Sequence, residues 1–144
     1  DHLARHRSVT EALAEWCRAR GIGSGPIRAE RLAPEGGAGV PAALAVRPGE
    51  ALVRRRVRLV RGAVALAEAD NLYLPGRLPA GVARALDETD TPFFTLLADH
   101  GFARDPLAPP REGAGGALET VAVVTIGGRP VSHVRERFAP ALWR

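Results

Sequence analysis

The sequence predicts an α+β domain in which helices cover one face of a mostly antiparallel sheet of about six strands. Two observations carry this. Two pairs of strand-like segments are joined by very short glycine connections, at Gly62 and at Gly127-Gly128, as antiparallel hairpins require. Helix signals fall before and between these hairpins, without the one-to-one strand and helix alternation that would indicate a parallel sheet. At 144 residues the chain has one domain's worth of polypeptide, and residues 1–144 show no internal repeat or linker that would divide it.

The first element is an amphipathic helix over residues 9 to 20. Ser8 and Glu11 have capping-box spacing, Leu13, Trp16 and Cys17 recur at helical intervals, and Gly21 stops the pattern. Trp16 and Cys17 fall on the buried stripe of that helix, where a lone cysteine acts as a small apolar filler. A strand is expected over 27 to 32, a Pro- and Gly-rich loop over 33 to 41 and a short helix over 41 to 46. Residues 51 to 60 and 63 to 74 form the first hairpin. Residues 79 to 86 have helix formers after a proline, and Thr91-Pro92 supplies a cap and a first-turn proline for another helix ending at Gly101. A strand over 102 to 105 is followed by a long loop over 106 to 116, of the kind that serves as a mobile lid or a disordered connection. Residues 118 to 126 and 129 to 138 form the second hairpin.

Composition narrows the function. With 46% apolar and 25% charged residues the chain is ordinary globular material, and no apolar run approaches the roughly 18 residues of a membrane span. One cysteine allows neither an internal disulfide nor a Cys-based metal site, so neither a disulfide scaffold nor a zinc module is expected. All 20 basic residues are arginine, giving a formal charge of +4. The Ala-, Gly-, Pro- and Arg-rich composition accounts for that as a codon preference, and some arginines remain available to grip anions as planar forks. Aromatics make up only 5% and acids are scattered among the arginines, so a nucleic-acid partner is not expected. The chain begins at Asp1 and contains no methionine, which implies an upstream segment and leaves targeting unreadable. Oligomeric state is not legible either.

Candidate site residues follow from strand parity, because alternate residues share a face. Val53, Arg55, Val57 and Leu59 make an inward face, with Arg54, Arg56 and Arg58 as a solvated stripe behind them. Arg55 is thus an arginine on the core side, and a buried guanidinium needs a carboxylate or a ligand. In the last strand Ser132, Val134, Glu136 and Phe138 share a face, which turns Glu136 inward. It could pair with Arg55 or handle a ligand. Val131, His133, Arg135 and Arg137 fall on the outward side. Ala65, Ala67, Ala69, Asn71 and Tyr73 line a face whose small residues leave room for a helix or a planar ligand. The remaining histidines, His2, His6 and His100, carry no signal, and neither glycine-rich stretch has the flanks of a phosphate loop.

Arg55-x-Val57-x-Leu59, the strand ending Ala69-Asp70-Asn71-Leu72-Tyr73-Leu74-Pro75, the helix opening Asp90-Thr91-Pro92-Phe93, and Gly128-Arg129-Pro130 with Glu136-Arg137-Phe138-Ala139-Pro140 occur in one order over about residues 50 to 140. This ordered set resembles the chorismate pyruvate-lyase family and its lyase-like relatives. The resemblance implies a six-stranded antiparallel α+β fold and cofactor-independent cleavage of chorismate to 4-hydroxybenzoate and pyruvate. It implies Arg55 as the grip on the ring carboxylate and Glu136 as the catalytic acid/base near the ring hydroxyl. Asn71, Tyr73 and Phe93 complete the implied substrate-binding set. Asn71 stands where the family has a second arginine, and Phe94 where it has glycine. A related fold serves as a sensing domain in bacterial regulators, so a non-catalytic site for a small carboxylate is the alternative reading.

Overall fold

The computed structural model describes residues 9–33 and 39–142, with side chains from residue 14 onward. Helix α1 (Val9–Arg20) runs as the periodicity requires and ends at Gly21, whose φ of +64° carries the chain out of the helix. The proposed cap Ser8 lies outside the described residues. Strands β1 (Ile27–Arg31), β2 (Val53–Arg61), β3 (Val64–Tyr73), β4 (Phe102–Pro106), β5 (Arg111–Glu112), β6 (Leu118–Ile126) and β7 (Arg129–Phe138) form a single antiparallel sheet. Its order is β1-β2-β3-β7-β6-β4, with β5 pairing the outer stretch of β6. Helices α2 (Val82–Glu88) and α3 (Phe93–Leu97) connect β3 to β4.

The two hairpins meet at the centre, where β3 pairs β7. Gly127 and Gly128 both have positive φ, +58° and +78°, as a primed two-residue turn demands. Parity holds along most of the sheet. Val57, Leu59, Ala67, Val134 and Phe138 on its inner face pack with Val82, Leu86, Phe93, Phe94 and Leu97 from the helices and with Cys17 of α1 in one core. Phe94 bridges the helix layer to the sheet, its ring centroid 5.3 Å from those of Phe93 and Phe102.

Several expectations need correction. The 106–116 stretch is not a plain loop: it holds β5 and a single 3-10 turn, Ala114–Gly116, which brings the strand count to seven. Thr91 does not cap α3; Pro92 occupies the cap position, without a side-chain bond, and the helix is five residues long. The stretch 79 to 86 becomes helical only at Val82, after a 3-10 turn at Pro75–Arg77. The 41 to 46 helix is a single 3-10 turn, Ala42–Leu44. Trp16 is half-buried rather than buried, with Arg20 stacked 4.2 Å from its ring, while Cys17 is fully enclosed.

Two register shifts break parity. Between β2 and β3 the register slips at Leu59/Val60, so Leu66 turns into the main core and Ala65 is left exposed. Between β6 and β7 it slips at Val124/Thr125, and Val131 also enters the core instead of the outward face. His133 does lie on the outer side but is buried. There Leu44, Leu74 and Val123 form a second small cluster, and burial first, then Arg135, holds the imidazole below its ordinary pKa.

That second cluster depends on Arg77. Its guanidinium donates to the carbonyls of Leu44, Ala45 and Pro130 and to both Glu50 oxygens at 2.7 and 2.6 Å, tying the segment before β2 to the β6–β7 hairpin. The charge-assisted bonds from Arg77, joined by the Arg47 backbone N–H, lower the Glu50 pKa to about 2. Glu50 therefore contributes stability fully present above its ordinary value of 4.5 and lost as pH falls towards about 2. Acid titration of unfolding should show this loss in the native chain and not in Glu50→Gln. Arg77→Ala, which leaves three carbonyls and a carboxylate without their donor, should lower the thermal midpoint by about 5 °C or more.

Candidate functional site

The strand register brings the predicted residues to one area of the inner face. Arg55 on β2 stands opposite Asn71 on β3, and Asn71 opposite Val134 on β7. Ser132 and Glu136 flank Val134 at two-residue spacing, so both are diagonal neighbours of Asn71, and Tyr73 stands opposite Ser132. All five are buried: Arg55 is 6% exposed, Asn71 4%, Tyr73 4%, Ser132 0% and Glu136 3%. Phe93 is equally enclosed, but as part of the apolar helix layer.

Glu136 does not pair with Arg55. β3 separates their strands, so roughly 10 Å lies between the two backbone positions. Its partner is Arg104 on β4, whose Nη2 donates to Glu136 Oε1 at 2.5 Å and to Thr120 Oγ1 at 3.1 Å. Thr120 Oγ1 donates in turn to the same Glu136 oxygen at 3.2 Å, closing a triangle. Arg104 and Thr120 were absent from the sequence-based set. The parity of Phe102 and Arg104 in a short strand was the available signal, and only the pairing of β4 with β6 shows that they share the inner face.

Arg55 is left without a carboxylate among the described residues. Burial lowers its pKa, and the nearby charge of Arg31 acts in the same direction. Tyr73, close to Arg55, has its phenol pushed up by burial. Among the described residues, five buried polar side-chain atoms have no hydrogen-bond partner: Arg55 Nε, Asn71 Nδ2, Asn71 Oδ1, Arg104 Nε and Ser132 Oγ. Every one belongs to the inner face. Buried polar groups in native proteins are nearly always satisfied, by protein or by water, and these atoms find no partner among the described residues.

A groove of about 600 Å³ lies on the opposite face. Arg56, Glu68, Asp70, Glu119, Arg135 and Arg137 line its floor, with Ala108, Pro109 and Arg111 at its wall. The 106–116 segment, a long loop by sequence alone, borders this outer groove. Among the described residues no helix is long and apolar enough to cross a membrane, and no three His, Cys, Asp or Glu side chains converge as metal ligands.

The chain is similar in fold to a domain from Bordetella bronchiseptica described as the ligand-binding domain of a GntR-family transcriptional regulator. The TM-score is 0.56, over 81% of this chain and 86% of that one, at 17% identity. It is also similar to YydK of Bacillus subtilis, described as a transcriptional regulator, with a TM-score of 0.53 over 82% of this chain and 59% of the other at 8% identity. At these identities the likeness is one of fold, and the fold is the α+β type of such ligand-binding domains. Neither is described as a chorismate lyase. In sequence, the chain is 34% identical over 121 residues to an uncharacterised protein of Sinorhizobium fredii, covering 74% of this chain and 47% of that protein. The chain thus spans about half the length of this curated relative. No family model matches the chain.

The Arg104 and Glu136 pair gives a direct test of the site's wiring. Arg104→Leu should destabilise the protein by about 3 to 5 kcal/mol by leaving a buried carboxylate unpaired, and adding Glu136→Leu should recover most of that loss. Denaturant unfolding of the two single variants and the double variant measures the coupling.

Proposed function

We propose that this chain is a small-molecule-binding domain of the sensing type, which takes a small monocarboxylate between the sheet and its helices. Arg55 grips the carboxylate, Asn71 and Ser132 supply neutral hydrogen bonds, and the Glu136 and Arg104 pair meets the polar far end of the ligand. The observation that carries this reading is the group of five unpartnered buried polar atoms on one face.

Charge balance supports the ligand class. Arg55 and Arg104 contribute two positive charges and Glu136 one negative charge, so one anionic group restores neutrality. An uncompensated buried charge costs several kcal/mol, which a carboxylate on Arg55 would relieve. The ligand-binding description of the Bordetella domain with this fold agrees with a binding role. Cleavage of chorismate, the finer expectation from the resemblance, draws less support. Glu136, the candidate acid/base, already accepts from Arg104 and Thr120, and Asn71 supplies no second cationic clamp.

Calorimetric titration with 4-hydroxybenzoate, a monocarboxylate with a polar group at its far end, tests the reading. Binding is expected, and Arg55→Ala should weaken it by roughly 10-fold or more, the effect of losing a charge-assisted bond. Unchanged affinity in that variant would refute the role of Arg55. Incubation with chorismate should release no pyruvate, and turnover that depends on Glu136 would restore the lyase reading.

A further inference from the structure

Resting on that reading, we infer that the chain registers an anion at Arg55 through the corner between α2 and α3, residues 86–90, and that Arg31 on the edge strand β1 is the positioning residue that couples the two. Arg31 stands opposite Val57 in the pairing of β1 with β2, which makes it the diagonal neighbour of Arg55 on the inner face. Two guanidinium groups thus share one side of the sheet, and the buried one has no carboxylate among the described residues.

Arg31 is also the tie that holds α2 to the sheet. Its Nη2 donates to Leu86 O at 2.7 Å and to Asp87 O at 3.4 Å, and its Nη1 lies 3.8 Å from Asp87 Oδ1. The carbonyls belong to the last turn of α2, where backbone acceptors lack partners inside the helix and a cation is favoured. Two further ties join the corner to the same strand. Ala29 N donates to Asp90 O at 2.7 Å, and Arg28 Nη1 lies 3.7 Å from Asp90 Oδ2. Docked in this way, α2 sends Val82 and Leu86 into the same core as Val57.

Like charge sets these ties against the site. With the corner docked, Arg31 is fixed diagonal to Arg55 and the two repel, an effect that adds to the larger one of burial on the Arg55 guanidinium. When the corner leaves β1, the half-exposed Arg31 side chain is free to swing into water, where the repulsion is screened. A carboxylate on Arg55 cancels the repulsion and so favours the docked corner. By linkage, docking favours the carboxylate by the same factor. The occupancy of a buried site is thereby expressed at the surface, because the side chains of Asp87 and Asp90 on the corner are exposed.

The Ala29 amide reports docking, because its hydrogen bond is to Asp90 O and it exchanges with deuterium when the corner leaves β1. Exchange is followed by NMR on the whole chain. Without ligand, Arg55→Met removes the repulsion and should slow Ala29 exchange about 5-fold or more, whereas Arg31→Gln should speed it. In the Arg31→Gln background, Arg55→Met should change it by less than about 2-fold. Equal slowing in both backgrounds is a general gain in stability and overturns the inference, as does no slowing in either. Arg55→Met replaces an unpaired buried charge with an apolar side chain, so its circular dichroism should match the parent; Arg55→Gln serves the same cycle if it does not. 4-Hydroxybenzoate should slow Ala29 exchange in the parent and much less in Arg31→Gln. Binding that leaves Ala29 exchange unchanged overturns the coupling and spares the carboxylate site. Failure of 4-hydroxybenzoate to bind counts against the carboxylate site, and the ligand-free cycle then decides the coupling alone.

Discussion

The buried Arg55 guanidinium, with no carboxylate beside it among the described residues, sets the terms for the whole inner face. Arg55 is held there by its pairing with Asn71 on β3 and by the apolar neighbours Val57 and Leu59 that parity drives inward with it. Rotating Arg55 outward would require a one-residue slip that exposes those two side chains as well. The chain therefore retains an electrostatic deficit that packing cannot relieve. Arg31 deepens it, and Glu136 does not answer it because Arg104 has already claimed that carboxylate. A bound anion would do so, and by binding only the folded chain it would also raise stability by mass action.

The same pairing explains how one sheet carries two unlike surfaces. β7 alternates Glu136, turned inward, with Arg135 and Arg137, turned outward, so its two faces are set by a period of two and not by separate segments. Small residues make the inner arrangement feasible. Arg104 stands opposite Val124, and to reach Glu136 its side chain must cross β6 at Ala122, where a methyl leaves room. On the other face Arg77 fastens the segment before β2 to the β6–β7 hairpin, beside the small cluster of Leu44, Leu74 and Val123.

The hairpins, their faces and the inward positions of Arg55 and Glu136 were legible because each rests on local periodicity and turn chemistry. The bulged residues Leu66 and Val131 were not, since a bulge arises from the register of two strands and leaves no mark on the pattern of either one. His133 faces outward, as parity requires, and is nonetheless buried, because the 3-10 turn at Ala42–Leu44 packs against β7. Arg77 sits in a short 3-10 turn with no apolar period to flag it, yet it makes more tertiary hydrogen bonds than any strand arginine on the inner face. Arg104 fell in a five-residue strand, too short for its parity to be read without the partner strand.

Asn71 is where the resemblance and the geometry bear on each other most directly. An arginine at that position, beside Arg55 and diagonal to Glu136, would raise the inner surplus from one positive charge to two, matched to a ligand with two carboxylates. The amide reduces it to one. Chorismate carries two carboxylates and 4-hydroxybenzoate one, so the single substitution changes which of them the proposed site can neutralise. A dianion would bring a second negative charge beside Glu136 with only neutral donors to receive it, and burial of that charge opposes binding. On the proposed reading, the inner face of this chain is matched in charge to a monocarboxylate, which accounts for a binding domain that keeps the grip of Arg55 without the second clamp needed to orient a dicarboxylate for cleavage.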